Sequence, residues 1–219
     1  MQVPTDVIRI LHVDDDPEFA EIAATFLERE EDRFAVETID RPTVAAEAIE
    51  SEEYDCIVSD YEMPGMDGIE LLETVRAEYP NLPFILYTGK GSEEVASDAI
   101  SAGVTDYLQK GQATEQYELL AKRIIDAVEH RHAKVNYREI FEKIPDGIVV
   151  QDPEDGAFTD MNQRYAELFG YDRQELLEAG FSAIHPDEEP YTLENARQRV
   201  EEAVSEGPQT FEWLGETKN

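Results

Sequence analysis

The stretch Tyr54–Leu72, YDCIVSDYEMPGMDGIELL, decides the fold. Tyr54 to Ser59 is an apolar run of strand length that ends on Asp60, Gly65 and Gly68 mark a loop, and Ile69, Leu72 and Val75 recur behind it at helical spacing. Outward from this unit the same alternation repeats. Val7 to Val13 ends in Asp14, Asp15 and Asp16, and a helix starts near Pro17 with Phe19, Ile22, Ala23, Phe26 and Leu27 on one face. Phe34 to Ile39 is a second strand, and Pro42 opens a helix with Val44, Ala45, Ala48 and Ile49 facing inward. Leu82 to Tyr87 ends at Thr88; Ser92 then caps a helix through Ala102, which Gly103 stops. Val104 to Leu108 ends near Lys110, and a last helix begins around Thr114. Strand and helix alternating in this way predict an α/β fold, a doubly wound five-stranded parallel sheet with right-handed crossovers. Function in such sheets lies at the carboxyl ends of the strands, where Asp14, Asp15, Asp60, Thr88 and Lys110 would converge.

That convergence has chemical content. Three carboxylates sharing a small site repel one another, and a hard divalent cation such as Mg²⁺, which takes few carboxylates plus water and substrate oxygens, relieves the repulsion. A lysine ammonium and a threonine hydroxyl suit added phosphoryl oxygens, and an aspartate is a known nucleophile toward phosphorus. Each residue alone has a plainer reading, as a helix cap, a turn residue or a surface lysine. Their joint placement at four strand ends favours chemistry.

The segments ILHVDDDPEF (10–19), YDCIVSDYEMPGMDGIELL (54–72), FILYTGKGS (84–92) and GVTDYLQK (103–110) together resemble the receiver domain of two-component response regulators. The resemblance implies a flavodoxin-like receiver in which Asp60 is the phosphoacceptor. Asp15, Asp60 and the backbone carbonyl of Glu62 would bind Mg²⁺, with Asp14 acting through a water. Thr88 and Lys110 would contact the phosphoryl group, and Tyr107 would join Thr88 as the switch. The donor would be a phosphohistidine on a sensor histidine kinase or phosphotransfer protein. One departure stands out. The family usually has proline after the lysine, with a cis peptide between them, whereas Gly111 follows Lys110 here. Without proline a cis bond costs ~3–4 kcal/mol, so its geometry is open. Glu62 and Lys90 would overhang the approach to Asp60 and form a candidate gate against water, solvated loop charges being the plain alternative.

The last receiver helix meets no Gly or Pro before Pro145. A receiver domain over 1–130 would therefore continue through a linker helix, 113–144, into residues 145–219. Tyr117, Ile124, Val128 and Val135 leave an apolar stripe along that helix, from which a parallel homodimer is expected. His130 and His132 on it lack the surroundings of a kinase's phosphorylatable histidine, and no ATP-binding module follows. Beyond Pro145 a hairpin is predicted (Gly147 to Gln151 and Ala157 to Met161), then helices over Gln163 to Phe169, Arg173 to Ala179 and Leu193 to Ser205, and a strand over Thr210 to Leu214. This stretch, through IHPDEEP, looks like the first two-thirds of a PAS domain, so an incomplete C-terminal α+β PAS-like unit from a longer protein is expected. The resemblance to halophilic archaeal hybrid signalling proteins extends that expectation to a histidine-kinase output. The PAS ligand is unknown. No cysteine lies in this half, which argues against a flavin–thiol adduct, and His185, read as a turn or surface residue, argues poorly for haem.

Composition argues against a nucleic-acid binder. With 51 acidic against 18 basic residues the formal net charge is -33, a field that repels nucleic acid and anionic lipid. The acids are spread through periodic segments, and a halophile surface is the expectation. Cys56, the single cysteine, is read as a buried hydrophobe. No signal peptide and no apolar run near the ~20 residues of a membrane span is present, so a cytoplasmic protein is expected. The competing reading is a non-catalytic dimerisation and ligand-sensing scaffold.

Overall fold

In the computed structural model, which describes residues 7–89, 93–111, 114–153, 155–186 and 188–218, the first half forms β1 (Ile8–Val13), β2 (Phe34–Ile39), β3 (Cys56–Ser59), β4 (Phe84–Thr88) and β5 (Asp106–Gln109). They pair in parallel in the order β2-β1-β3-β4-β5. Between and after them run α1 (Pro17–Glu30), α2 (Pro42–Ser51), α3 (Gly68–Glu78), α4 (Glu93–Ser101) and α5 (Glu115–Lys143).

The period of two along each strand sorts the core into two layers. Leu11, Val13, Ile57, Phe84 and Leu86 meet Ala45 and Ile49 of α2 and Leu71, Leu72 and Val75 of α3. Ile8, Ile10, Cys56, Val58, Ile85 and Tyr87 meet Leu27 of α1 and Leu120, Ile124 and Val128 of α5. Each fully buried large side chain contributes ~1.5–3 kcal/mol, and a one-residue slip would exchange the layers, so the register is firmly fixed. Caps set where the helices begin. The Asp16 carboxylate accepts from the N–H groups of Glu18 and Phe19 beside Pro17, and Asp67 forms a reciprocal capping box with Glu70. Ser92 and Lys90 lie outside the described residues.

Two expectations about faces are corrected. Ile22 is half exposed, because the buried seam of α1 runs through Ala20, Ala23 and Leu27. Tyr117, Ile124 and Val128 are not an open stripe: all three are buried in the first unit's own core, leaving only Val135 exposed. The register of α5 on the sheet consumes the face that looked unpartnered.

The chain divides into two compact units between Lys134 and Val135, within α5. In the second unit β6 (Val149–Gln151) and β7 (Phe158–Met161) pair antiparallel. They are followed by α6 (Gln163–Phe169), α7 (Arg173–Ala179) and α8 (Leu193–Glu206). Phe158, Met161, Ala166, Leu176 and Ile184 form the core. Residues 210–214 are not a strand. In place of a ladder, the N–H groups of Glu216 and Lys218 donate to the carbonyls of Ile184 and Phe169, and Trp213 packs against Phe181, Tyr191 and Phe211. His185 is buried against Phe181 and is not a surface residue. Among the described residues no helix is long and apolar enough to cross a membrane.

Candidate functional site

The strand order reverses between β1 and β3, and the residues that follow these neighbouring strands are Asp14 and Asp60. A crevice at the carboxyl ends of the strands is expected at such a reversal. The main chain fixes both carboxylates. Asp60 N–H donates to the Val13 carbonyl at 2.8 Å, and Asp14 N–H to the Ile39 carbonyl at 3.1 Å. The Tyr61 N–H holds Asp60 Oδ1 at 2.7 Å, and the Asp16 N–H holds Asp14 Oδ1 at 3.1 Å. Behind Asp60, Gly68 passes so close that a Cβ there would lie 2.2 Å from the Asp60 carbonyl oxygen.

Lys110 joins the two acids. Its Nζ stands 2.7 Å from Asp14 Oδ2 and 2.9 Å from Asp60 Oδ2. It also lies 4.4 Å above the Phe19 ring and 6.0 Å from that of Tyr87, so the ammonium sits between two carboxylates and two aromatic faces. Its own N–H donates to the Thr88 carbonyl at 2.8 Å, which places Thr88, itself buried, beside it. Asp14 is only 1% exposed, and burial pushes its carboxyl above the ordinary range against the pull of Lys110. His12, buried 3.8 Å from Asp14 Oδ2, is held neutral: burial, with Lys110 adding to it, lowers its imidazole to about 4.

Asp14, Asp15 and Asp60 each offer a carboxylate oxygen within 4.8 Å of the other two, the one such cluster among the described residues. All-oxygen, all-anionic donors with Asp15 and Glu62 exposed to solvent fit a hard divalent cation that keeps waters, as Mg²⁺ does. Tyr107 lies on β5 opposite Leu86. Its hydroxyl is buried with no hydrogen-bond partner among the described residues, and burial raises its pKa. The structure thus brings Asp14, Asp15, Asp60, Thr88 and Lys110 to one edge, with Tyr107 one strand pair away. His130 and His132 are exposed on α5, His132 lying 3.7 Å from Asp55. The Glu62–Lys90 gate lies outside the described residues through Lys90.

Sequence reasoning missed the aromatic walls and one polar contact. The Lys110–Gly111 peptide is trans, since among the described residues only Glu189–Pro190 is cis. The Gly111 N–H, a donor that proline would lack, goes to Gln116 Oε1, which also accepts from the Tyr87 hydroxyl at 2.7 Å. Gly111 after the lysine was the visible sign that something must replace the proline; nothing in the sequence pointed to Gln116.

A family model for the response regulator receiver domain matches residues 10–122, more than half of the chain, and a PAS domain model matches 136–204. The chain is 36% identical over 77 residues to the transcriptional regulatory protein FixJ of Bradyrhizobium diazoefficiens (35% of this chain, 38% of that protein). It is 35% identical over 88 residues to the response regulator protein FleR of Pseudomonas aeruginosa (40% of this chain, 19% of that protein). The chain therefore spans well under half the length of these curated relatives. Among solved structures, the CheY-like receiver domain protein of Methanospirillum hungatei JF-1 superposes with a TM-score of 0.53 at 28% identity, covering 59% of this chain and 99% of that one. The beryllofluoride-activated NtrC4 receiver domain gives 0.50 at 28%, covering 56% and 98%. With its five-stranded parallel sheet and the acidic edge at β1 and β3, the chain belongs to the response regulator receiver domain family, and a PAS domain follows the receiver.

Proposed function

We propose that the receiver accepts a phosphoryl group on Asp60 from the phosphohistidine of a sensor histidine kinase or phosphotransfer protein, and that α5 passes the change to the PAS unit. The observation that carries the reading is the single ammonium of Lys110 held within 2.9 Å of both Asp14 and Asp60 at the switch point of the sheet. Receiver domains as a class bind Mg²⁺ at such an acidic pocket and act with histidine kinases or phosphotransfer proteins.

In the transfer, an Asp60 oxygen attacks phosphorus. A P–O bond forms as the P–N bond to the donor imidazole breaks, and the imidazole leaves with the bonding pair and takes up a proton. In-line displacement of this kind asks the protein mainly for position and charge. Asp60 is already oriented by the Tyr61 N–H. As the phosphoryl group arrives, Lys110 exchanges its Asp60 contact for a phosphoryl oxygen, with Asp14 still holding the other side of the ammonium. The Thr88 hydroxyl takes a second oxygen. Asp15, Asp60 and the Glu62 carbonyl would hold Mg²⁺ directly and Asp14 would hold it through water; the ion supplies positive charge for the developing phosphoryl oxygens. Tyr107 is the proposed switch: a buried hydroxyl without a partner costs ~1–3 kcal/mol, so a ring position that satisfies it through a moved Thr88 gains that amount.

The test is incubation with acetyl phosphate and Mg²⁺, read by intact mass. The expected result is one added phosphoryl group, absent in Asp60→Asn. No gain in the wild-type chain would leave the non-catalytic scaffold as the reading. Pairing of two copies through the linker helix rests on exposed Val135 and Ile140. Light scattering in molar KCl reads it: a dimer mass reduced to the monomer in Val135→Glu/Ile140→Glu supports pairing, and a monomer mass in the wild type removes it. A ligand for the PAS unit and a downstream histidine-kinase output belong to the same proposal.

A further inference from the structure

The hydrogen bonds of Gln116 point to a role in the transfer itself. Lys110 is the first residue past β5. Its ammonium must meet Asp60 within hydrogen-bond reach, yet a lysine stem is flexible, and glycine, the least restricted residue, follows it at 111. At that point the chain offers two donors. Gly111 presents its N–H, 2.5 Å from Gln116 Oε1, and Tyr87 presents its hydroxyl to the same oxygen at 2.7 Å. A carboxamide oxygen has two lone pairs, and both are used here. Tyr87 is 1% exposed, fixed in the core layer under β4, and its ring is one of the two that flank the Lys110 ammonium. Its neighbour Thr88 accepts the Lys110 N–H. Gln116 sits in the first turn of α5. The oxygen is therefore a two-way clamp, tying the peptide that follows Lys110 to a ring that cannot move without disturbing the core.

We propose that Gln116 is a positioning residue for phosphoryl transfer: its Oε1, by holding the Gly111 N–H against the Tyr87 hydroxyl, keeps Lys110 aimed at Asp60 where glycine, not proline, follows the lysine. The inference rests on Asp60 being the acceptor and adds the residue that orients its lysine. Gln116 touches neither acid, so its effect has to pass through Lys110.

The experiment is a double-mutant cycle on the rate of phosphorylation by acetyl phosphate with saturating Mg²⁺, on the full chain. Gln116→Met keeps length and bulk and removes the acceptor; Gln116→Glu keeps an acceptor oxygen. Loss of one positioning hydrogen bond, ~1 kcal/mol, corresponds to a rate about fivefold lower. Gln116→Met is expected to show that drop in the wild-type background and no further drop in the Lys110→Ala background, whereas a residue that merely stabilises the fold lowers both alike. Gln116→Glu is expected to restore most of the rate. Tyr87→Phe, which removes only the second donor, covers the case in which Gln116→Met fails to fold, and is expected to lower the rate in the Lys110 background alone. An unchanged rate in Gln116→Met, or an equal drop in both backgrounds, overturns the proposal while Asp60 remains the acceptor. A wild-type chain that gains no phosphoryl group at all overturns the acceptor reading and this inference with it.

Discussion

Two glycines beside the phosphoacceptor separate two kinds of constraint at the residue scale. Gly65 has φ +88° and open space around its missing Cβ, so only backbone strain opposes a side chain. Gly68 lacks the positive φ, but a Cβ would stand 2.2 Å from the Asp60 carbonyl oxygen and 2.8 Å from Leu86 Cδ1. Gly65→Ala is expected to cost about 1 kcal/mol and leave the phosphorylation rate nearly unchanged. Gly68→Ala cannot be accommodated by a side-chain shift alone, because one obstacle is the backbone of the acceptor itself. It is expected to cost ~2–4 kcal/mol and to slow phosphorylation at least tenfold. Urea titration and acetyl phosphate kinetics on both variants check this, and equal costs would show that the two glycines serve one purpose. Asp160 shows charge at the same scale. Burial alone would raise its carboxyl, but Arg173, the Met161 N–H and Arg138 together hold it below the usual carboxylate range. A carboxylate held lower in the folded chain than in the unfolded one adds stability that is present above about pH 4 and lost as pH falls through the folded value. The second unit is therefore expected to lose stability in acid below about pH 4. Asp160→Asn should flatten that slope and cost about 1 kcal/mol at neutral pH. Melting followed from pH 6 to pH 2 reads both effects.

Elements were more legible than what joins them. The alternation of strands and helices, the strand ends carrying Asp14, Asp60, Thr88 and Lys110, and the helices Gln163–Phe169 and Arg173–Ala179 follow from periodicity and capping chemistry, which are local. Helix faces were less legible. The spacing of Tyr117, Ile124 and Val128 marks an apolar side of α5, but sequence does not say whether a second chain or the first unit's own core covers it; the core does, Ile124 and Val128 packing in the sheet's layer and Tyr117 stacking on Phe26 of α1. Residues 210–214 carry the β-formers Phe211 and Trp213, yet their rings pack on aromatic partners and their backbone pairs with no strand among the described residues. At the site, residue identities were legible because the chemistry requires those types, while the Lys110 bridge, the Phe19 wall and the Gln116 contact depend on side-chain placement. Asn162 is the clearest joint in the second unit. Fully buried, its Oδ1 accepts from the N–H groups of Ile148 and Tyr165, and its Nδ2 donates to the carbonyls of Phe141 and Asp146. One side chain thus caps α6, anchors the start of the hairpin and holds the last turn of α5. No apolar residue of the same size replaces this, and removing it leaves several buried backbone groups unpaired. Asn162→Leu is expected to cost ~3–4 kcal/mol in the second unit and to leave the first unit's stability and its phosphorylation unchanged. Hydrogen exchange resolved by segment separates the units; loss of protection in β1 and β3 would show that they unfold together.

At the scale of the whole molecule the charge of -33 on 219 residues dominates. Few of these acids have a partner of opposite sign nearby, because only 18 basic residues are available to 51 acidic ones. Folding brings the acids closer than they stand in the extended chain, so their mutual repulsion opposes the compact state. The ion pairs that do form are mostly half-exposed, such as Arg9–Glu52 and Arg199–Glu202, and each contributes ~0–1 kcal/mol, too little to offset the field. Salt changes both quantities in opposite directions. Shortening the Debye length from ~30 Å at 0.01 M to ~3 Å at 1 M removes repulsion between acids spread over the whole surface while costing only the weak pairs in direct contact. Repulsion has the longer range and the larger number of partners, so it is the term that screening reduces most. The melting temperature is therefore expected to rise monotonically with KCl from 0.01 M to beyond 1 M. The rise should be steepest at low concentration, where the Debye length is still comparable with the distance between surface acids. Sucrose at matched osmolality carries no charge and stabilises only through exclusion from the surface, so it separates screening from a general solute effect. A melting temperature that is flat in KCl, or one that rises equally in sucrose, would show that the surface acids are too far apart or too well hydrated for their repulsion to limit the fold. The site itself should follow the opposite rule. Lys110, Asp14 and Asp60 are partly or fully buried and in contact, so salt that stabilises the fold should leave their pairing, and the rate of phosphorylation at saturating Mg²⁺, little changed.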